Sequence, residues 1–154
     1  MTLDTIDAKI LNVLQENARV SISELSKRVH LSLSAVSERL KKLEQSGIID
    51  QYTTILNSAS LDKQISSIML VSLEDPSKIS EFLKFIEEND EILEAYHITG
   101  DADYSLKIVT SSMQGLENII NKVKSVSVVR QTQTSVVLST LKHKYSIPPI
   151  PTKE

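Results

Sequence analysis

The spacing of hydrophobic residues changes once along this chain, and that change limits the possible folds more than any other feature. In the first 50 residues, apolar side chains recur three or four positions apart, which is the spacing of one helix face. The pattern breaks at ENAR and at HLSLS, and it ends at Gly47. Ser21 precedes Glu24 by three residues, which is the capping-box spacing of a helix start. We therefore expect three helices, with a short turn between the second and third, before the β-rich stretch IIDQYTTIL.

The second half of the chain reads as strands and helices in a fixed order. SSIMLVSLE, EILEAYHIT, YSLKIVT and VSVVRQTQTSVVLSTLK have strand composition, whereas SKISEFLKFIEEN and MQGLENIINKVKS have helical spacing. The resulting order, β-α-β-β-α-β, is the ferredoxin-like arrangement, with a four-stranded antiparallel sheet and both helices on one face. The other face, which we expect to carry Val, Met and Leu, would be bare, and this predicts dimerisation by sheet packing.

The second and third helices have the features of a helix-turn-helix. The turn between them is short, and small polar and basic residues lie on the outer face of the third helix, which could enter a major groove. The net charge of the chain is −3, but residues 19–44 hold six Lys/Arg against three Asp/Glu. Periodicity alone leaves an ordinary three-helix packing unit equally open; the turn, the capping box and the local charge favour DNA.

The candidate DNA contacts follow from side-chain size and charge. Short side chains let the helix approach the bases, and long basic ones reach phosphates. We expect phosphate contacts from Arg19, Lys41 and Lys42, and base contacts from Ser34, Ser37, Glu38 and Arg39. Ser32 and Ala35 complete the expected DNA surface.

These patterns predict an α+β chain of two domains. An N-terminal, winged-helix-like helix-turn-helix domain (1–52) is followed by a linker (53–65), a ferredoxin-like βαββαβ sandwich (66–142) and a flexible tail (143–154). The tail stretch SIPPIPTKE holds three of the four prolines, so we expect it to be extended or disordered.

Composition excludes several classes of protein. The chain has no cysteine, so it has no disulfide framework and no thiolate nucleophile or metal ligand. MTLDTIDAKI is charged and does not read as a signal peptide, and no apolar run approaches the ~20 residues of a membrane helix. We expect a cytoplasmic protein without membrane partners, metal or cofactor.

The stretch YHITGDADYSLKI holds a histidine, two aspartates and one of three glycines. Asp101, Asp103 and His97 could supply an acid/base set, but no nucleophile with an oriented base lies near them in the sequence. As metal ligands they would number at most three, of mixed hardness and without dedicated spacing. From the residues alone a hairpin is favoured, in which Gly100 adopts positive φ and the aspartates cap backbone amides.

Nearly the whole chain resembles the leucine-responsive regulatory protein/AsnC (feast/famine) family. LDTIDAKILNVLQENARVSISELSKRVHLSLSAVSERLKKLEQSGIIDQYT is similar to the DNA-binding domain of that family. HITGDADYSLKIV resembles a turn of its ligand-sensing domain, and RQTQTSVVLSTLK resembles its last strand. Two positions depart from the family pattern: His30 stands where the helix-turn-helix often has glycine, and SLDKQISS lacks a glycine before the first strand of the sensing domain.

The resemblance implies a transcription regulator that is not an enzyme. It implies binding to double-stranded DNA, a homodimer that assembles into octamers or other multiples, and a small-molecule effector, usually an amino acid, bound between dimers. The implied effector contacts are His97, Thr99, Gly100, Asp101, Asp103, Tyr104, Thr132 and Thr134. Of these, Thr132 and Thr134 would come from a neighbouring subunit. Two alternatives stay open: a DNA-organising protein of the same fold without effector response, and a small-molecule sensor or enzyme whose helical domain only mediates assembly.

Overall fold

The computed structural model describes residues 2–151, which form two compact units. The helical unit comprises residues 2–55 together with 142–151, and the sheet unit comprises Leu56–Leu141. The tail therefore belongs to the helical unit, whereas its composition predicts a flexible segment. No helix within 2–151 has the length and apolar character to cross a membrane.

The helical unit contains the three expected helices, α1 (Thr5–Glu16), α2 (Ile22–Val29) and α3 (Leu33–Gln45). Each begins at a capping side chain. Asp4 and Asp7 form a complete capping box on α1, which the spacing analysis missed. At α2 the Ser21 hydroxyl accepts from the Glu24 N–H (3.1 Å), while the Glu24 carboxylate accepts from Arg28. The core of the unit is made of aliphatic side chains buried between the helices: Ile10, Leu11, Leu25, Val29, Val36 and Leu43.

The turn between α2 and α3 accommodates histidine in place of glycine. His30 adopts the left-handed conformation, with φ 56° and ψ 45°, and ends α2. Histidine tolerates this region better than most residues, so His30 can occupy this position of the turn in place of glycine. The β-rich stretch IIDQYTTIL forms no strand, and residues 50–56 have no ladder partner among the described residues.

The sheet unit has the expected order of elements: β1 (Ile65–Leu73), α4 (Ile79–Glu87), β2 (Ile92–His97), β3 (Tyr104–Thr110), α5 (Met113–Ser125) and β4 (Val129–Val136). Short 3-10 helices, Ala59–Leu61 and Pro76–Lys78, precede β1 and α4. The sheet order is β2-β3-β1-β4, and all neighbouring strands are antiparallel. The ferredoxin-like fold is therefore confirmed.

The two faces of the sheet differ in a way that corrects the sequence analysis. Met69 and Val71 are fully buried in the core shared with Phe82 of α4 and Leu116 of α5. Successive strand residues alternate between faces, so the opposite, open face carries the even-numbered positions of β1. There Ile68 is exposed, and it pairs in register with Lys107. The open face is thus less apolar than expected, since its Met belongs to the core.

An ion pair crosses the open face. The Lys107 ammonium contacts the Glu94 carboxylate at 2.7 Å, and the Tyr96 hydroxyl donates to the same carboxylate at 2.9 Å. This bond raises the pKa of Tyr96, because it is made to a negatively charged acceptor. The open face therefore combines exposed aliphatic groups with paired charges.

Candidate functional site

The first candidate site is the outer surface of α3. The Ser32 hydroxyl caps the helix by accepting from the Ala35 N–H (3.2 Å), and it lies 3.0 Å from the Ser34 hydroxyl. Ser34 and Ser37 are exposed, so the beginning of α3 presents short hydroxyl side chains to the solvent. Arg19 is also exposed, but it lies in the loop between α1 and α2 rather than on α3.

The charged residues of α3 are not equivalent. The Lys42 ammonium pairs with the Glu38 carboxylate at 2.7 Å, and this bond holds the pKa of Glu38 below its usual value. Glu38 therefore remains ionised at neutral pH. Lys41 is exposed and has no ion-pair partner within the described part of the chain. Of the two lysines, Lys41 is the one whose charge is available without breaking a pair.

Arg39 is held inside the helical unit, which departs from the expected role in contacting bases. Its Nη1 donates to Asp4 Oδ2 at 2.6 Å and to Asp7 Oδ1 at 2.7 Å. These two carboxylates raise the pKa of Arg39, the Asp4 bond being the larger cause. Asp7 is buried, so the guanidinium balances a charge that would otherwise be unpaired. Arg39 thus fixes α3 against the start of α1.

The second candidate site is the turn between β2 and β3. Gly100 has φ 122°, a conformation that glycine adopts without strain, as expected for the hairpin. The Asp103 carboxylate accepts from the Leu73 N–H (2.8 Å), while the Asp103 N–H donates to the Val71 carbonyl (3.1 Å). Asp103 therefore attaches the turn to the end of β1. Thr99 and Asp101 are exposed beside Gly100.

Three of the other predicted effector residues lie in one row across the sheet, whereas Thr134 lies two positions further along β4, opposite Met69. His97 of β2 pairs with Tyr104 of β3, Tyr104 pairs with Val71 of β1, and Val71 pairs with Thr132 of β4. The His97 ring stacks on Tyr104 with centroids 5.0 Å apart, and Tyr104 itself is buried against Phe82. Three strand spacings separate the ends of this row, a distance of about 14 Å.

The structure therefore does not gather all the predicted effector residues at one point of a single chain. Thr132 and Thr134 lie on the outer strand β4, two positions apart on the same side, and both are half-buried. The turn follows β2, the strand at the opposite edge, although Asp103 attaches it to β1; buried Val71 and Tyr104 lie between His97 and Thr132. A depression of about 500 Å³ elsewhere in the sheet unit is lined by Gly115, Asn118 and Lys122, and it includes none of the predicted effector residues.

No metal site accompanies these surfaces in the described residues. Residues 2–151 hold no group of three or more His, Cys, Asp or Glu side chains that could bind a metal ion. The acidic turn does not bring its two aspartates and His97 into such a group.

Comparison with known protein families identifies both units. The model of the Lrp/AsnC ligand binding domain matches residues 66–147, and that of a winged helix-turn-helix DNA-binding domain matches residues 3–50. The transcriptional regulator FL11 of Pyrococcus furiosus is 35% identical over 146 residues, which cover 95% of this chain and 96% of the relative. The transcriptional regulator AzlB of Bacillus subtilis is 37% identical over 149 residues, covering 95% of each protein.

Solved structures show the same architecture. A transcriptional regulator of Neisseria meningitidis in complex with L-Met superposes with a TM-score of 0.91 at 36% identity, covering 96% of this chain and 97% of that one. E. coli AsnC superposes with a TM-score of 0.89 at 27% identity, covering 97% and 100%. These relatives are transcriptional regulators, a class of proteins that are not enzymes.

Proposed function

The chain belongs to the Lrp/AsnC family of helix-turn-helix transcriptional regulators, and from that premise we propose how its own residues bind operator DNA and an effector. It binds DNA through the helical unit and responds to a small molecule through the sheet unit.

The DNA contact is carried by the exposed start of α3. Ser34 and Ser37 are short enough for the helix backbone to approach the base edges of a major groove, and their hydroxyls can donate or accept there. Lys41 and Arg19 neutralise phosphates, and Lys42 does so after leaving Glu38. Arg39 acts indirectly, because its bonds to Asp4 and Asp7 hold α3 in place against the start of α1.

The effector site is completed by two chains, and the row across the sheet is the observation that supports this. The ammonium and carboxylate of an amino acid are attached to one carbon atom, so they cannot reach both His97 and Thr132, which stand about 14 Å apart with the buried Val71 and Tyr104 between them. One chain therefore supplies Thr99, the amides beside Gly100 and the Asp101 carboxylate. A neighbouring chain supplies the hydroxyls of Thr132 and Thr134. A buried zwitterion needs partners of both signs, which this set contains.

The assembly is a dimer that forms larger multiples, such as an octamer. The open face, with Ile68 and Leu70 beside the Lys107–Glu94 pair, is the surface for the first dimer contact. A dimer presents two α3 helices to half-sites about 34 Å apart, and larger assemblies raise affinity through effective concentration. Since linkage is reciprocal, bound DNA changes effector affinity by the same factor by which the effector changes DNA affinity. The protein acts in the compartment that contains the DNA.

The DNA contact can be tested with sequences selected from a random pool by the purified chain. Affinity measured by fluorescence anisotropy should fall steeply as salt rises, and Lys41→Ala should reduce the slope by about 0.9 for each chain that contacts the DNA. Lys124→Ala, an exposed lysine of α5, serves as the matched control and should leave the slope unchanged. Binding that ignores salt, or equal effects of the two variants, would contradict the assignment.

The effector contact is tested by calorimetry with each of the twenty amino acids, with light scattering of the same samples. We expect at least one amino acid to bind and to change the mass of the assembly. If none binds while DNA binding persists, the chain organises DNA without an effector of this class.

A further inference from the structure

The tail returns to the helical unit and makes specific contacts there. The side-chain amide of Gln15, on α1, binds the backbone of Ile147 at both of its polar groups. The Ile147 N–H donates to Gln15 Oε1 at 2.6 Å, and Gln15 Nε2 donates to the Ile147 carbonyl at 2.9 Å. Because the Gln15 amide pairs with both the N–H and the C=O of Ile147, it takes the place that a neighbouring strand has in a β-ladder. This pairing requires the tail backbone to be extended at Ile147.

A groove beside Gln15 receives the rest of the segment. Tyr145 and Pro149 line it on the tail side. Its floor comes from apolar residues in or next to α1 and in the stretch after α3: Leu3, Leu11, Leu14, Ala18, Ile48, Ile49 and Tyr52. The cleft between them has a volume of about 470 Å³. The Tyr52 hydroxyl donates to Glu44 at 3.0 Å and so fixes this wall to α3. Burial and this bond raise the pKa of Tyr52 to about 12, so the hydroxyl stays protonated.

The tail is recognised by its backbone and its prolines rather than by its large side chains. The Ile147 and Ile150 side chains are 77% and 78% exposed, whereas Pro149 and Pro151 are half-buried. Prolines hold the chain extended before it binds, which lowers the entropy lost on docking. Two exposed hydrogen bonds and two half-buried rings make a weak contact, so the docking is reversible.

We propose that Tyr145–Pro149 is a docking segment for the Gln15 groove and provides a second tether between the two units. The first tether is the chain before β1; the second leaves the end of β4, where the Val137 N–H still bonds to Ser66. Residues 138–145 can reach about 30 Å at most when fully extended. The DNA-binding unit is therefore restrained through the strand that carries Thr132 and Thr134.

This tether gives β4 a route to the helical unit. A ligand that displaces β4 stretches or relaxes residues 138–145. It thereby changes how far the docked helical unit can move. That consequence rests on the proposed effector site. The docking itself does not, and the experiment below measures docking without any effector.

Amide hydrogen exchange of the full chain tests the docking. The Ile147 amide should exchange at least tenfold more slowly than an unstructured amide, and Gln15→Ala should abolish that protection. Gln45→Ala is the matched control, because Gln45 is an exposed glutamine at the end of α3, in the same unit. Unprotected exchange at Ile147 in the unaltered chain, or equal effects of Gln15→Ala and Gln45→Ala, would overturn the proposal.

A second pair of variants acts on the tail itself. Ile147→Pro removes the donated N–H, whereas Ile150→Pro makes the same replacement at an exposed residue for which the described structure has no hydrogen bond. Trypsin should cleave after Lys144 several-fold faster in Ile147→Pro than in Ile150→Pro, because undocking exposes the segment to the protease. Equal cleavage rates in the two variants would refute recognition at Ile147.

Discussion

Replacing Arg39 by methionine should destabilise the helical unit, although Arg39 lies on α3, the helix proposed to contact DNA. The guanidinium contacts Asp4 and Asp7 through one nitrogen atom, Nη1, at 2.6 and 2.7 Å. Methionine keeps much of the apolar stem but removes both bonds. Among residues 2–151, the Asp7 carboxylate would then retain only the Asp4 N–H as a hydrogen-bond partner, at 3.2 Å.

The expected cost follows from the exposure of the three side chains. The side chain of Asp7 is 5% exposed, that of Arg39 30% and that of Asp4 49%. Breaking a fully buried pair costs about 3–5 kcal/mol, and losing an exposed pair costs about 0–1 kcal/mol. The Asp7 bond lies nearer the buried limit and the Asp4 bond nearer the exposed one. Discounted for solvent at Arg39, the free energy of unfolding should fall by about 2 kcal/mol, mostly through Asp7.

Urea unfolding of the full chain at pH 7 measures this loss, with amide exchange at buried positions of α1 reporting on the helical unit. Lys41→Met, on the same helix but exposed, is the matched control and should change stability by less than about 0.5 kcal/mol. A double-mutant cycle should give a larger coupling for Arg39 with Asp7 than with Asp4. Equal stability of Arg39→Met and Lys41→Met would refute the assigned role.

Three further predictions concern pH, the turn and the effector. The pKa of Asp4 is lowered, first by the bond from the Asp7 N–H and then by Arg39. The ionised Asp4 therefore contributes stability above about pH 3.8, and this contribution is lost as the pH falls through the lower pKa of the folded state. Acid titration of Arg39→Met should show a smaller loss of stability. Gly100→Ala should destabilise the sheet unit by about 1–3 kcal/mol in thermal unfolding, because its φ of 122° strains alanine although the added Cβ meets no atom within 4 Å. Thr132→Val should weaken effector binding in calorimetry about tenfold by removing one hydroxyl, while thermal stability stays within about 0.5 kcal/mol.

Local pattern was sufficient for the order of elements in both units. Helical spacing predicted the three N-terminal helices, alternation predicted the strands, and the positive φ of Gly100 followed from turn chemistry. The face to which a strand residue points was harder to predict, because alternation does not say which of the two sets of side chains is buried under the helices. Met69 was therefore assigned to the open face, whereas it lies in the core.

Contacts between residues that are far apart in the sequence could not be predicted from local patterns. Arg39 and Asp7 are 32 positions apart, and Gln15 and Ile147 are 132 apart. Composition described the tail by its prolines, which allow docking and disorder alike. Two chains that share every local feature could differ in both contacts, so only the folded arrangement reveals them.

Two charged side chains that the sequence analysis placed among the ligand contacts instead position the surfaces that are proposed to bind DNA and effector. Arg39 attaches α3 to α1, and Asp103 attaches the acidic turn to β1 through the Leu73 N–H. Both make short bonds to other elements of their own unit, so a ligand that recruited either would have to replace those bonds and would destabilise the surface it binds. Exposed hydroxyls such as those of Ser37 and Thr99 carry no such cost, since they are hydrated before binding. Substitutions at these sites should therefore fall into two classes, one that lowers stability first and one that lowers affinity alone.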